Sequence, residues 1–206
     1  SDQYELSSIH FEGNETFDDE ELKAVIQSEE NPLWLWRVLY STVSFIGSPP
    51  NYFDSSAISV DIISLKSFYS VNGFFKAEIN YSFDVDSAGK SAEITYYINE
   101  NSPHTYGQVK LLGLEKLNEE ITSDIKEFLQ YPSWERYVQE NVQEKNDGII
   151  TYLKNHGFML AKYDSTVVKI DTLNSKTDIT TFFNTGGWYT YADVRIQKEG
   201  ESSSEI

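Results

Sequence analysis

A pair of matching segments, separated by 84 positions, constrains the fold of this chain more than any other feature. Residues 65–77 read LKSFYSVNGFFKA, and residues 149–161 read IITYLKNHGFMLA. Each reads as an apolar helix that stops at a glycine, Gly73 or Gly157, and then passes into a strand. A repeat of this length is a supersecondary unit, so we predict tandem copies of a small α+β domain.

A second correspondence, at an offset of 100 positions, joins the strand before Gly13 to the strand before Gly113. In both copies the glycine turn leads to a candidate helix N-cap, Asp18 or Asn118. The repeated unit therefore reads as β-α-α-β-β. We predict strands at 5–12, 75–85, 91–99, 106–113, 159–171 and 177–184, and helices at 18–29, 56–72, 118–130 and 134–156.

The repeat divides the chain into two domains and the beginning of a third. We predict a first domain over 1–101, a second over 102–186, and the first strand of a truncated third domain in 187–206. In that last segment a partial copy of 106–111 places the strand at 189–197. The chain begins at Ser1 without an initiator methionine, so we expect it to be a piece of a longer protein.

The first copy carries an insertion at about 31–53 that contains two of the four tryptophans, Trp34 and Trp36. One interpretation is a short helix packed on its own domain. The alternative is an exposed aromatic surface that contacts a partner or a membrane. The sequence leaves both open.

Composition excludes several function classes. Against 16 lysines and arginines stand 33 acidic residues, a net charge of −17. Nucleic acid is bound through clustered basic residues, so we exclude it as a partner. The absence of cysteine removes disulfides and thiolate metal sites. No apolar run approaches the length of a transmembrane helix.

The chain also lacks the patterns of catalytic and metal sites. His10, His104 and His156 fall on different predicted elements with no ligand spacing. Asp84 and Asp86 resemble the opening of a calcium loop, but the later ligand positions are missing, and a hairpin turn explains them better. The acidic clusters fall in first helical turns, where they complement the helix dipole. We therefore predict no enzyme, metal or cofactor.

The repeat resembles the polypeptide-transport-associated (POTRA) domain. The resemblance rests on the opening IHFEGNETF at 9–17, on the glycine-aromatic junctions at 73–77 and 157–161, and on the Tyr106 and Tyr191 segments between copies. The Trp-rich insertion resembles the first domain of BamA/TamA-type proteins of the Omp85 superfamily. The implied fold is tandem POTRA domains, each a three-stranded mixed sheet covered by two helices.

The resemblance also implies a function: a periplasmic arm ahead of an outer-membrane barrel that is absent here, in a Gram-negative bacterium. The arm would bind unfolded outer-membrane proteins, and accessory periplasmic proteins, in assembly or translocation. The alternatives are the POTRA scaffold of a two-partner secretion transporter or of a division-site protein.

In the resembled fold the third strand is central, which leaves the second strand at an edge able to pair with an extended peptide. The predicted edges are 77–85 and 161–170, and we expect the apolar residues of the first, Ile79, Tyr81 and Phe83, to face the helices. An edge that is only solvated or covered is the alternative. The predicted binding residues are Ala77, Ile79, Tyr81, Phe83, Ala161, Tyr163 and Val167, and the predicted structural glycines are Gly13, Gly73, Gly113 and Gly157.

Overall fold

A computed structural model of the chain describes residues 4–29 and 55–190. The helices and strands follow the predicted β-α-α-β-β order twice. The strands are β1 (Glu5–Glu12), β2 (Glu78–Asp86), β3 (Ser91–Asn99), β4 (Thr105–Leu112), β5 (Lys162–Asp171) and β6 (Lys176–Asn184), and the helices are α1 (Asp19–Lys23), α2 (Ser55–Val71), α3 (Glu119–Phe128) and α4 (Gln139–Asn155).

The first sheet has the strand order β1-β3-β2, with β1 parallel and β2 antiparallel to the central β3. Alternation along β3 buries Ala92, Ile94, Tyr96 and Ile98 on one face, because successive side chains point to opposite sides of a sheet. That face joins one apolar core with residues of β1 and α2. Its other members include Leu6, Ile9, Phe11, Phe17, Leu22, Ile58, Leu65, Tyr69, Phe74 and Ile79.

The second sheet repeats the arrangement with the order β4-β6-β5. Along β6 the residues Thr177, Ile179, Thr181 and Phe183 are buried, and the residues between them are more accessible. Two three-stranded mixed sheets, each with its third strand in the centre, confirm the predicted α+β fold.

The described residues fall into two compact units that do not follow the order of the chain. One contains the described residues up to 108 together with 131–142 and 169–178. The other contains 109–130, 143–168 and 179–190. The domain boundary at 101/102 remains a prediction.

The glycines that end the second helix of each copy have the left-handed backbone that the sequence predicts. Gly73 has a φ of +89° and Gly157 a φ of +93°. In each case the next amide reaches back to a carbonyl five residues earlier, as in a Schellman motif. The bonds run from Phe74 N to Tyr69 O at 2.8 Å and from Phe158 N to Leu153 O at 3.0 Å.

Helix α1 is shorter than the predicted helix at 18–29. It begins at a capping box formed by Asp18 and Glu21, as expected, but ends at Lys23. The amides of Gln27 and Ser28 donate instead to the buried carboxylate of Asp61, at 2.6 and 3.3 Å. The side chain of a distant residue therefore takes the place of the helical carbonyls.

The second helix of the second copy also begins later than predicted, at Gln139 instead of 134. The preceding segment pairs with backbone near the start of β4: Tyr106 N donates to Glu135 O at 3.2 Å, and Tyr137 N donates to His104 O at 2.9 Å. These bonds hold the segment extended, so the helix cannot include it.

Two predictions fall outside the described residues. The insertion at 31–53, with Trp34 and Trp36, is one of them. The other is the strand at 189–197, of which the structure describes Tyr189 and Thr190 without regular secondary structure.

Candidate functional site

The two sheets each place their second strand at an outer position. In the residues that the structure describes, β2 pairs with β3 alone and β5 pairs with β6 alone. An outer strand directs alternate N–H and C=O groups away from its sheet, where they can pair with another extended chain. The predicted edges at 77–85 and 161–170 are therefore outer strands.

The apolar side chains of β2 face the helices, as predicted, but are incompletely covered. Ile79 lies opposite Ile98 and is buried, whereas Tyr81, opposite Tyr96, and Phe83 are 45% and 46% exposed. The Tyr81 and Phe83 rings lie nearly parallel, with centroids 6.5 Å apart. Ala77 precedes the strand and is half-buried in a turn closed by its bond to Phe74 O.

The side chains of β5 are shifted by one position relative to those of β2. Thr166 lies toward α4, because its hydroxyl contacts the Asn146 amide and the Thr181 hydroxyl, both at 3.1 Å. Side chains alternate along a strand, so the neighbouring Val167 lies on the opposite face. Tyr163 is half-buried, and Val167 is 53% exposed. Ala161 precedes β5 and is buried.

One additional residue in the second copy explains this shift. The glycine junctions are 84 positions apart, but the strand ends Asp86 and Asp171 are 85 apart. A one-residue change in register moves every side chain of a strand to the other face. The 84-residue offset alone would place Val167 in the position of Phe83, which faces the helices.

Three exposed apolar residues at these edges were missed by the sequence reasoning. Val85 ends the apolar row of β2, and Val168 and Ile170 lie on the α4 side of β5. The signal was available, because Val85 continues the alternating apolar row of β2 and the aspartates before the two hairpin turns, Asp86 and Asp171, are 85 positions apart in the sequence. Both faces of β5 therefore offer apolar contacts to a pairing strand.

Charged residues of both signs accompany β5. Lys162 and Asp164 form an exposed ion pair at 3.0 Å, and Lys169 and Asp171 follow near the end of the strand. Hydrogen bonds from the Asn174 side-chain amide and from the backbone amides of Asn174 and Leu173 lower the pKa of Asp171, and the same bonds hold the hairpin turn. Such charges limit unselective pairing between the edge strands of two molecules.

The outer strand β4 offers less backbone than β5. Its Tyr106 amide donates to the Glu135 carbonyl, and its Gln108 amide donates to the Asp178 side chain at 2.7 Å. Thr105 also forms an isolated bridge with Arg136. These contacts cover the beginning of β4.

The described residues contain no group of three side chains suited to hold a metal ion. Among the histidines, His10 contacts Ser8, His156 stacks on Tyr152, and His104 is fully buried beside Phe75. Asp86 caps its hairpin by accepting from Ala88 N at 2.9 Å, in agreement with the turn interpretation. Within residues 4–29 and 55–190, no helix has the length and hydropathy of a membrane span.

Comparison with known proteins gives a family match. The model of the POTRA family, described as surface antigen variable number repeat, matches residues 4–101. A search of curated proteins finds no match.

Three solved structures are similar to this chain. POTRA domains 3–5 of BamA from Haemophilus influenzae share 18% identity over 98% of this chain and 74% of that chain, with a TM-score of 0.47. POTRA domains 1–2 of the periplasmic domain of Omp85 from Anabaena share 13% identity over 91% of this chain and 98% of that chain, with a TM-score of 0.42. CdiB from Escherichia coli shares 8% identity over 93% of this chain and 28% of that chain, with a TM-score of 0.37.

The family match covers the first copy, and the second copy has the same order of elements and the same central third strand. Residues 4–101 of this chain are therefore a POTRA domain.

Proposed function

We propose that this chain is a periplasmic protein-binding scaffold in outer-membrane protein assembly or secretion. In this proposal it binds extended segments of unfolded clients or partner proteins by strand addition at β5 and β2. The observation that carries the proposal is the outer position of both strands in sheets whose central strand is already fully paired. The parent protein would reach the outer membrane through a barrel beyond this chain.

The descriptions of the similar structures support the proposed location in the periplasm. One is a periplasmic domain of Omp85, and another belongs to BamA. A scaffold of this kind needs contact surfaces rather than reacting groups, so we assign the chain no catalytic role and no cofactor.

The β5 edge is the stronger candidate of the two. It is ten residues long, and its Val167 and Val168 present apolar surface on both faces of the sheet. A paired segment of seven residues would form about six backbone hydrogen bonds, each contributing about 1 kcal/mol. The cost of association removes much of this gain, so we expect affinities of about 1 μM to 1 mM.

Strand addition makes affinity depend on backbone groups more than on side chains. Main-chain bonds supply the binding energy, and the pockets for alternate side chains add selectivity. One edge can therefore accept many unfolded sequences of alternating pattern, which is the pattern of barrel strands.

Proline substitutions at adjacent positions of β5 test the mechanism. Proline removes an N–H, and adjacent amides of an edge strand point alternately inward to the sheet and outward. Of Val167→Pro and Val168→Pro, we expect one variant to lower thermal stability through a lost bond to β6. We expect the other to keep more of its stability and to bind a fluorescein-labelled ten-residue peptide of alternating valine and threonine at least fivefold more weakly.

The alanine variants at the same two positions are the matched controls. They remove the side chains but keep both amides, so we expect less than a twofold change in peptide affinity. Equal loss of affinity in the alanine and proline variants would show that side-chain contact, and not strand addition, binds the peptide.

A further inference from the structure

An open groove lies beside Gly157 in the second compact unit. It has a volume of about 950 Å³, and its walls include Lys154, His156, Met159, Leu160, Trp188 and Tyr189. Met159 and Leu160 are 50% and 63% exposed, so two large apolar side chains lie open to solvent on one surface. Single exposed apolar residues are ordinary, but an apolar patch marks a contact surface.

The backbone at this groove repeats a feature of the first copy. The carbonyl of Gly157 accepts from Tyr189 N at 2.8 Å, and the carbonyl of Gly73 accepts from His104 N at 2.8 Å. In both copies, therefore, the chain that leaves the sheet returns to the glycine at the end of the helix. The surroundings of Gly73 show what occupies the same position in the first copy.

Next to Gly73, a loop of the following copy fills the space. A Cβ atom at Gly73 would lie 2.5 Å from Tyr137 O. The Phe75 ring packs between His104 and Tyr137, with centroid distances of 5.0 and 5.7 Å. Burial raises the pKa of Tyr137 to about 12, as expected for a phenol inside an apolar contact. All these residues belong to the first compact unit.

Next to Gly157, the described residues contain no such loop. Met159, 84 positions after Phe75, keeps half of its surface exposed. The indole of Trp188 borders the glycine, where a Cβ atom would lie 2.7 Å from its Nε1. The Trp188 indole thus lies against Gly157, and the groove extends beside it along Met159, where the first copy packs the Tyr137 ring on Phe75.

We propose that the Gly157 groove receives an aromatic side chain from a loop of a following repeat. That loop would correspond to residues 131–138, and its aromatic residue to Tyr137. The residue before the aromatic should differ from Arg136, whose guanidinium donates to Asn72 O at 2.5 Å in the first copy. Lys154 lines the groove where the first copy has Ser70, so a neutral or acidic residue fits better than an arginine.

The single methionine of the sequence makes the groove directly observable. In the full chain labelled with ¹³C-methyl methionine, Met159 gives one resonance. The probe is a synthetic peptide with the sequence of residues 131–138, YPSWERYV. We expect a saturable shift of the Met159 methyl signal, unchanged or tighter binding by the peptide with Arg136→Gln, and at least tenfold weaker binding by the peptide with Tyr137→Ser.

Two variants of the chain locate the binding. Leu160→Glu places a charge on the exposed wall of the groove and should weaken binding at least tenfold. Leu173→Glu makes the same change at a leucine that is 93% exposed elsewhere, and should change nothing. The absence of a saturable methyl shift overturns the proposal, as does a shift that survives both Tyr137→Ser in the peptide and Leu160→Glu in the chain.

Discussion

Gly13→Ala is expected to lower the free energy of unfolding by about 3 kcal/mol, as measured by urea denaturation. Gly13 follows β1 and has a φ of +87°, a conformation that side chains with a Cβ rarely adopt. A Cβ atom there would lie 2.1 Å from the carbonyl oxygen of Ile98 in β3. That oxygen belongs to the central strand, so relief requires movement of the sheet itself.

Gly89→Ala is the matched control for this substitution. Gly89 lies in the β2–β3 turn, its φ is outside the left-handed region, and its nearest obstacle is the Asp86 carboxylate. The end of a side chain can rotate away, so we expect a loss below about 1 kcal/mol. Equal losses at Gly13 and Gly89 would contradict the close approach of backbone that the structure shows.

Asp61→Ala is expected to cost about 3 kcal/mol of unfolding free energy. The Asp61 carboxylate is fully buried on α2 and accepts from the Tyr96 hydroxyl at 2.7 Å. It also accepts from the Ser28 hydroxyl and from the amides of Gln27 and Ser28. Removing the acceptor leaves several donors without a partner. A buried donor without a partner costs more free energy than a typical hydrogen bond contributes to stability.

Asp61→Ala should also lower the pKa of Tyr96. Burial and the hydrogen bond to Asp61 both raise the pKa of Tyr96. Asp84→Ala, at an exposed acidic position of β2, is the control and should change stability by less than about 0.5 kcal/mol. If Asp61→Ala lowers the free energy of unfolding no more than Asp84→Ala does, water satisfies the donors as well as the carboxylate did.

Much of the fold follows from the repeat. The matched glycines place the helix ends at Gly73 and Gly157, and positive φ angles at both positions confirm the prediction. Alternation over 92–98 identifies the buried face of β3. These features are local, because helix caps and strand periodicity act within a few residues of chain.

Features that depend on distant residues could not be predicted. Helix α1 ends at Lys23, and the amides of Gln27 and Ser28 donate to the carboxylate of Asp61, more than thirty positions away. Helix α4 begins late because residues 135 and 137 pair with backbone near β4. The partial exposure of Tyr81 depends on how far the covering elements reach across the sheet, which side-chain periodicity does not encode.

The outward face of Val167 is a different case, because its signal was present in the sequence. The offset between copies changes from 84 to 85 within β5, and the change reverses the inward side of the strand near the hairpin. Counting back from the hairpin, instead of forward from the glycines, predicts that Val167 faces outward.

The most direct test of the proposed function is amide hydrogen exchange of the full chain with and without the alternating valine–threonine peptide. Amides of β5 that point away from β6 have no partner in the sheet and should exchange fast in the free protein. We predict that the peptide slows the exchange of every second amide over 163–169 and leaves α3 and α4 unchanged. Peptide binding with unchanged exchange throughout β5, or slowed exchange confined to the helices, would contradict strand addition at this edge.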